Sequence, residues 1–203
     1  MPRLPRAFFA RDTLTVARAL LGQRLVRVLA DGTRLAGLIT ETEAYVGETD
    51  LACHARAGRT ARTAVMYGPP GRAYVYFIYG SHWCLNVVTE RPGFPAAVLI
   101  RALQPVEGVE LLRRRRGGRP DHQLTNGPGK LTHALAVAEA FNTADLCARA
   151  AQLFIERNPD PPAAEISAGP RVGIDRVPEP WRGRPWNFRW RPPGPQRPPA
   201  GGV

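Results

Sequence analysis

Glu41-Thr42-Glu43-Ala44-Tyr45 is the stretch of this chain best equipped for chemistry, and His54 follows Tyr45 by nine residues. Two carboxylates close an apolar β-type run that otherwise reads Leu35, Leu38 and Ile39. Burying charge is expensive unless it is paired or used. Arg101, inside Val98-Leu99-Ile100-Arg101-Ala102-Leu103, poses the complementary problem. An arginine in an apolar strand calls for an acidic side chain or an anionic ligand. Paired with Arg101, Glu43 stays ionised near neutral pH and can take a proton from a water attacking an electrophilic carbon. A local ion pair without a catalytic role is the alternative. A two-residue period puts Glu41 and Glu43 on one face, so pattern alone does not choose between them.

Tyr45, Tyr74, Tyr76 and Tyr79 are four of the five tyrosines. Flat aromatic walls beside a carboxylate suit a planar, cationic or electron-poor ring. Stacking of a base on an aromatic is worth about 1–3 kcal/mol, and a cationic ring gains a further cation–π attraction. Ordinary core packing is the competing fate. Cys53-His54 and His82-x-Cys84 lack CxxC or HxxxH spacing, so no metal site is expected. The chain has no Walker loop, GxGxxG or Gly-x-Ser-x-Gly, and no cofactor is expected. Asn126-Gly127-Pro128-Gly129-Lys130 reads as a turn entering a helix, whose amides and lysine can hold a phosphate. Lys130 is the sole lysine, so a Schiff base would have to use it or the N-terminal amine.

These side chains need strands and turns to hold them. Asp12 or Thr13 can cap a helix carrying Leu14, Ala17, Leu20 and Leu21, with Gly22 as its stop. Residues 24–30 and 34–43 read as strands around an Asp31-Gly32 hairpin turn. Residues 46–72 read as a long irregular loop, which is uncommon without a function. Residues 73–79, 83–89 and 96–103 read as three more strands, with Tyr74, Tyr76 and Ile78 sharing a face. Pro105 suits the first turn of a helix running to about Arg116. A second helix follows Lys130 with Leu131, Leu135 and Val137 as core candidates, and residues 152–156 and 171–174 read as short strands. The expected fold is a single α+β domain with a mainly antiparallel, curved sheet flanked by helices. It spans residues 1–190; the proline-rich tail 191–203 is expected to be disordered.

The net charge of +11 suggests a polyanionic partner, nucleic acid before a membrane surface. Arg113 to Arg116 are either a solvated helix end or a phosphate-contacting patch. Three widely spaced cysteines fit a reducing cytoplasm. No apolar run approaches the roughly 18 residues of a membrane span, and no signal-peptide pattern is visible.

Taken together, Glu41 to Tyr45, His54, Tyr74-Val75-Tyr76-Phe77-Ile78-Tyr79-Gly80, Asn86, Leu99-Ile100-Arg101-Ala102-Leu103 and Gly127-Pro128-Gly129-Lys130 follow in order. This set resembles the alkyladenine (3-methyladenine) DNA glycosylase family from about residue 8 to about residue 190. The resemblance implies that Glu43 is the general base, with Arg101 and the Val172 backbone carbonyl placing the water. Tyr45, His54 and Tyr76 would form the pocket for a flipped base, supported by Tyr74. Tyr79 would be the wedge that fills the vacated space, and Asn86 would reject the exocyclic amine of guanine. Lys130 and Gly129 would contact the DNA backbone. The implied partner is double-stranded DNA containing alkylated or deaminated purines, met by a monomer in the cytoplasm and at the nucleoid. A non-catalytic lesion binder, a lyase using Lys130, and a single-strand or RNA binder are the other readings.

Overall fold

The computed structural model describes residues 1–78 and 80–192. A one-turn helix, α1 (Arg6–Phe9), leads into α2 (Thr13–Ala19). The Asp12 side chain accepts the Thr15 N–H at 2.9 Å, satisfying one of the donors that a helix start leaves unpaired. Val16, Ala17, Leu20 and Leu21 bury the inner side of this segment. Strands β1 (Arg24–Val28) and β2 (Arg34–Val46) form the expected hairpin. At its turn Leu29 N–H donates to Thr33 O at 2.8 Å and Gly32 N–H to Leu29 O at 3.0 Å.

The remaining elements are β3 (Ala73–Ile78), β4 (His82–Val88), β5 (Ala96–Glu107), α3 (Val109–Arg115), α4 (Pro128–Leu135), β6 (Leu153–Glu156), β7 (Ile166–Gly169) and β8 (Asn187–Trp190). The sheet runs β3-β4-β5-β2-β1-β6, and β8 joins it on β2 while pairing with β7. Every one of these pairings is antiparallel. With its helices, this is the expected α+β fold.

β2 organises the molecule. Its first part pairs with β1, its later residues Glu41 to Glu43 pair with β8, and β5 lines its other edge throughout. Phe9, Leu20, Leu21, Leu85, Ile100, Leu131 and Leu135 belong to one core between the helices and the sheet. Burying each such side chain is worth about 1.5–3 kcal/mol. Thr42 points to that side, its hydroxyl donating to Ala17 O at 2.8 Å. Alternation therefore sends Glu41, Glu43 and Tyr45 to the opposite face. Residues 46–72 fold over that face, with short 3-10 turns at His54–Ala57 and Ala64–Tyr67. Cys53, Ala55 and Met66 pack there against Tyr74, with Tyr45 and Tyr76 alongside.

Two expectations about the elements fail. Pro105 does not open a helix; β5 continues through it to Glu107, and α3 begins at Val109. Pro105 lies opposite Gly37, where the β2–β5 register slips between Ala36 and Gly37, and a bulge tolerates a residue without an N–H. Gly108 makes the turn into α3 at φ +69°, where an added Cβ would lie 2.4 Å from Leu35 Cδ2 and 2.7 Å from Arg34 O. Residues 171–174 are not a strand either. Arg171 is pulled inward by its side chain, and the strands of this region are β7 and β8 instead. The tail from Pro193 onward lies outside the described residues. No helix among the described residues is long and apolar enough to cross a membrane.

Candidate active site

Glu43 has no solvent exposure and accepts from four donors. Its Oε1 takes the Val172 N–H at 2.7 Å and Asn187 Nδ2 at 2.9 Å. Its Oε2 takes the Tyr45 hydroxyl at 2.8 Å and Arg101 Nη1 at 3.4 Å. A carboxylate offers about four lone-pair sites, so the protein fills them all. Charge-assisted hydrogen bonds of this kind offset the desolvation of the buried charge.

Glu41 sits beside it and answers how two acidic residues share one face. Its Oε1 accepts Asn187 Nδ2 at 2.8 Å, Arg189 Nε at 3.0 Å and Arg101 Nε at 3.1 Å. Burial alone raises the Glu41 carboxyl, but the Asn187 hydrogen bond and the Arg101 and Arg189 cations outweigh it and hold it below the ordinary carboxylate range. The Arg101–Glu43 pair anticipated from sequence is present, and Glu41 makes the shorter contact to the same guanidinium. Burial works against the Arg101 charge, and the two carboxylates more than restore it.

The aromatic wall comes from β2, β3 and the segment over the sheet. Burial, then the neighbouring Glu43, pushes the Tyr45 hydroxyl well above its ordinary range, so it stays a donor. His54 Nδ1 lies 2.8 Å from the Tyr74 hydroxyl, and its ring meets Tyr76 edge-on at 4.6 Å between centroids. Burial, then the Arg62 and Arg56 cations, lowers His54 to about 4, leaving the imidazole neutral at physiological pH. Tyr74 and Tyr76 lie 5.1 Å apart, and the Arg62 guanidinium stands 5.0 Å from the Tyr76 ring. Tyr74 is itself buried, so it backs the wall rather than lining it. Asn86 is buried opposite Tyr74 and donates from Nδ2 to Tyr74 O at 3.0 Å. Among the described residues, no group of His, Cys, Asp or Glu could hold a metal ion.

The model of the methylpurine-DNA glycosylase family matches residues 7–192. The chain belongs to this family. It is 52% identical over 189 residues to a protein of Methanocella arvoryzae, covering 93% of this chain and 92% of the relative. It is also 52% identical over 190 residues to one of Anaeromyxobacter dehalogenans, covering 93% and 84%. A protein of Myxococcus xanthus is 49% identical over 172 residues, covering 85% and 82%. All three relatives carry the name "Putative 3-methyladenine DNA glycosylase".

Lys130, Gly129 and the arginine run, also singled out from sequence in this glycosylase-family chain, find their partners outside the Glu43 cluster. Lys130, on the first turn of α4, is exposed and donates to Asn126 Oδ1 at 2.9 Å. Gly129 allows α4 to press on the β3–β4 hairpin, since an added Cβ would fall 2.8 Å from His82 Cγ. Tyr79, in the connection of that hairpin, lies outside the described residues. The arginine run mostly secures α3: Arg113 pairs with Glu110 and Asp121, Arg115 donates to Ala134 O, and Arg116 contacts His133. Val172 meets Glu43 through its N–H; the expectation concerned its carbonyl.

Sequence reading missed Asn187, Asp50 and Arg171. Asn187 carried one faint signal, a polar residue inside Pro185-Trp186-Asn187-Phe188. Asp50 and Arg171 are 121 positions apart and carried none.

Proposed function

We propose that this protein hydrolyses the N-glycosidic bond of damaged purines flipped out of duplex DNA, as a monofunctional glycosylase that leaves an abasic site. The observation that carries this reading is a wholly buried Glu43, held by Arg101, Tyr45, Asn187 and the Val172 amide beside the Tyr45–His54–Tyr76 wall. A base within a duplex cannot be reached by a water held on such a carboxylate, so the nucleotide must leave the stack. Tyr45 and Tyr76 then stack on the base. A neutral His54 suits a pocket that receives cationic purines, because it adds no charge of like sign.

Glu43 takes a proton from water as the water oxygen bonds to C1′ of the sugar. The C1′–N bond breaks and its electron pair leaves with the purine. A cationic 3-methyladenine or 7-methylguanine departs neutral; hypoxanthine and ethenoadenine need a proton on the base. Water needs one acceptor position on Glu43, and the Arg101 contact at 3.4 Å is the longest of the four. Arg101 stays anchored on Glu41 and can hydrogen-bond the same water, with the Val172 carbonyl as a further ligand. By family resemblance Tyr79 fills the gap in the duplex, Asn86 excludes guanine, and Lys130 with Gly129 meets the backbone.

Single-turnover release of hypoxanthine from a duplex tests the assignment of Glu43. Glu43→Gln is expected to lose about 10³-fold in rate while still binding duplex containing an abasic-site analogue. A rate equal to wild type removes Glu43 from the mechanism.

A further inference from the structure

Asp50 and Arg171 form an ion pair with both side chains wholly buried, and no step above uses it. The pairing is a fork on a fork: Nη1 to Oδ2 at 2.5 Å and Nη2 to Oδ1 at 2.9 Å. Arg171 also donates to Ala44 O at 2.9 Å and to Trp181 O at 3.3 Å. Its guanidinium stands 4.7 Å from the Tyr45 ring and 5.0 Å from the Trp186 ring. Asp50 accepts the Val46 N–H at 3.2 Å and the Ala52 N–H at 3.1 Å, and its backbone oxygen takes the Cys53 N–H at 2.8 Å.

Stability is a poor reason for this arrangement. Apolar side chains of similar volume serve folding as well as a buried ion pair or better. Arg171 Nε has no hydrogen-bond partner among the described residues, a further loss. What the pair does is join three segments: the end of β2 with Tyr45, the loop that leads into His54, and the segment of Val172. Arg171 and Val172 are consecutive, so fixing the guanidinium fixes the amide that sits 2.7 Å from Glu43 Oε1.

We propose that Asp50 and Arg171 are positioning residues for the hydrolysis, a buried clamp that holds the Val172 amide on Glu43 and the Tyr45 ring against the pocket. The proposal rests on the reading of Glu43 as the general base. Besides the clamp, the titratable and charged groups facing Glu43 are Glu41 and Tyr45 on β2, Arg101 on β5 and Cys84 on β4. The amide aims the Glu43 carboxylate at the attacking water, so loosening that amide misplaces the base and slows the chemical step.

The test compares wild type, Asp50→Asn/Arg171→Gln and Arg171→Lys in single-turnover release of hypoxanthine across pH. Thermal midpoints and affinity for duplex containing a tetrahydrofuran abasic analogue are measured in parallel. The double variant removes both charges together, so the local net charge is unchanged and the profile reads geometry. Its release rate at the pH optimum is expected to fall roughly ten- to hundredfold, with duplex affinity within about twofold of wild type. Arg171→Lys keeps the charge but loses the fork, and its profile is expected to lie between the two. Should the double variant not fold, the lysine variant carries the test. A wild-type release rate in a folded variant, whatever its stability, overturns the clamp and leaves Glu43 in place. A wild type that releases no base from any lesion overturns the proposed function and the clamp with it.

Discussion

Asn187→Ala removes an uncharged side chain that hydrogen-bonds both carboxylates, at 2.8 Å to Glu41 and 2.9 Å to Glu43. A hydrogen bond to a charged group is worth about 1.5–3 kcal/mol. Glu43 is wholly buried, so its share is lost in full; the Glu41 side chain is 18% exposed and recovers part of its share from water. The expected cost is about 2–4 kcal/mol, which for a chain of this size lowers the melting midpoint by about 4–16 °C. The pH dependence changes as well. Glu41 is held below its ordinary value of 4.5 in the folded protein, against its own burial, with the Asn187 hydrogen bond the largest stabilising influence on its charge. A carboxyl depressed in this way contributes stability that is present above the ordinary value and is lost as pH falls through the folded one. Without Asn187 the folded value rises, so the acid loss sets in at higher pH. Urea unfolding from neutral to acid pH measures both effects. A cost below about 0.5 kcal/mol at neutral pH, or an unchanged acid profile, refutes this account of the carboxylate pair.

Further outcomes follow from the same contacts. Folded His54 titrates at about 4 against an ordinary 6.5, so between these values the unfolded chain binds the extra proton and wild-type stability falls as pH drops through that window. His54→Gln is expected to flatten that slope by one proton, and equal slopes from urea midpoints contradict the buried neutral imidazole. Lys130→Ala is expected to weaken duplex binding across sequences and reduce the salt slope by about one, with no borohydride-trapped adduct in the wild type; an unchanged slope or a trapped adduct contradicts the backbone-contact role. Gly108→Ala forces a Cβ into Leu35 at φ +69° and is expected to cost about 2–4 kcal/mol, checked by thermal unfolding. Wild-type stability in that variant would mean the β5–α3 turn is looser than its geometry implies.

Much of this site was legible because strands alternate. Once residues 34–43 and 73–79 read as strands, one face had to hold Glu41 and Glu43, and another Tyr74 and Tyr76. The Asp31-Gly32 turn set the β1–β2 pairing, and Asp12 marked a helix start through local side-chain chemistry. Arg101 in an apolar run announced a carboxylate partner by its charge alone. Pro105 misled because proline opens helices and also tolerates bulges; the slipped register at Gly37 decided between them.

By itself, the sequence determined which side chains are available and which faces they share, because propensity, turns and two-residue periodicity act over a few neighbouring positions. Tertiary structure decided how Glu43 is held. The Val172 amide, Asn187 and the Asp50–Arg171 pair reach it, or its neighbours, across more than a hundred positions. β8 lies against β2 because the sheet offers an open edge beside Glu41 to Glu43, and a four-residue strand after Pro185-Trp186 has no periodicity long enough to predict. Glu41, indistinguishable from Glu43 by pattern, became the support of Arg101 and Asn187 because its own carboxylate remains partly exposed while that of Glu43 is sealed. Burial, a property of the folded whole, separates the two carboxylates.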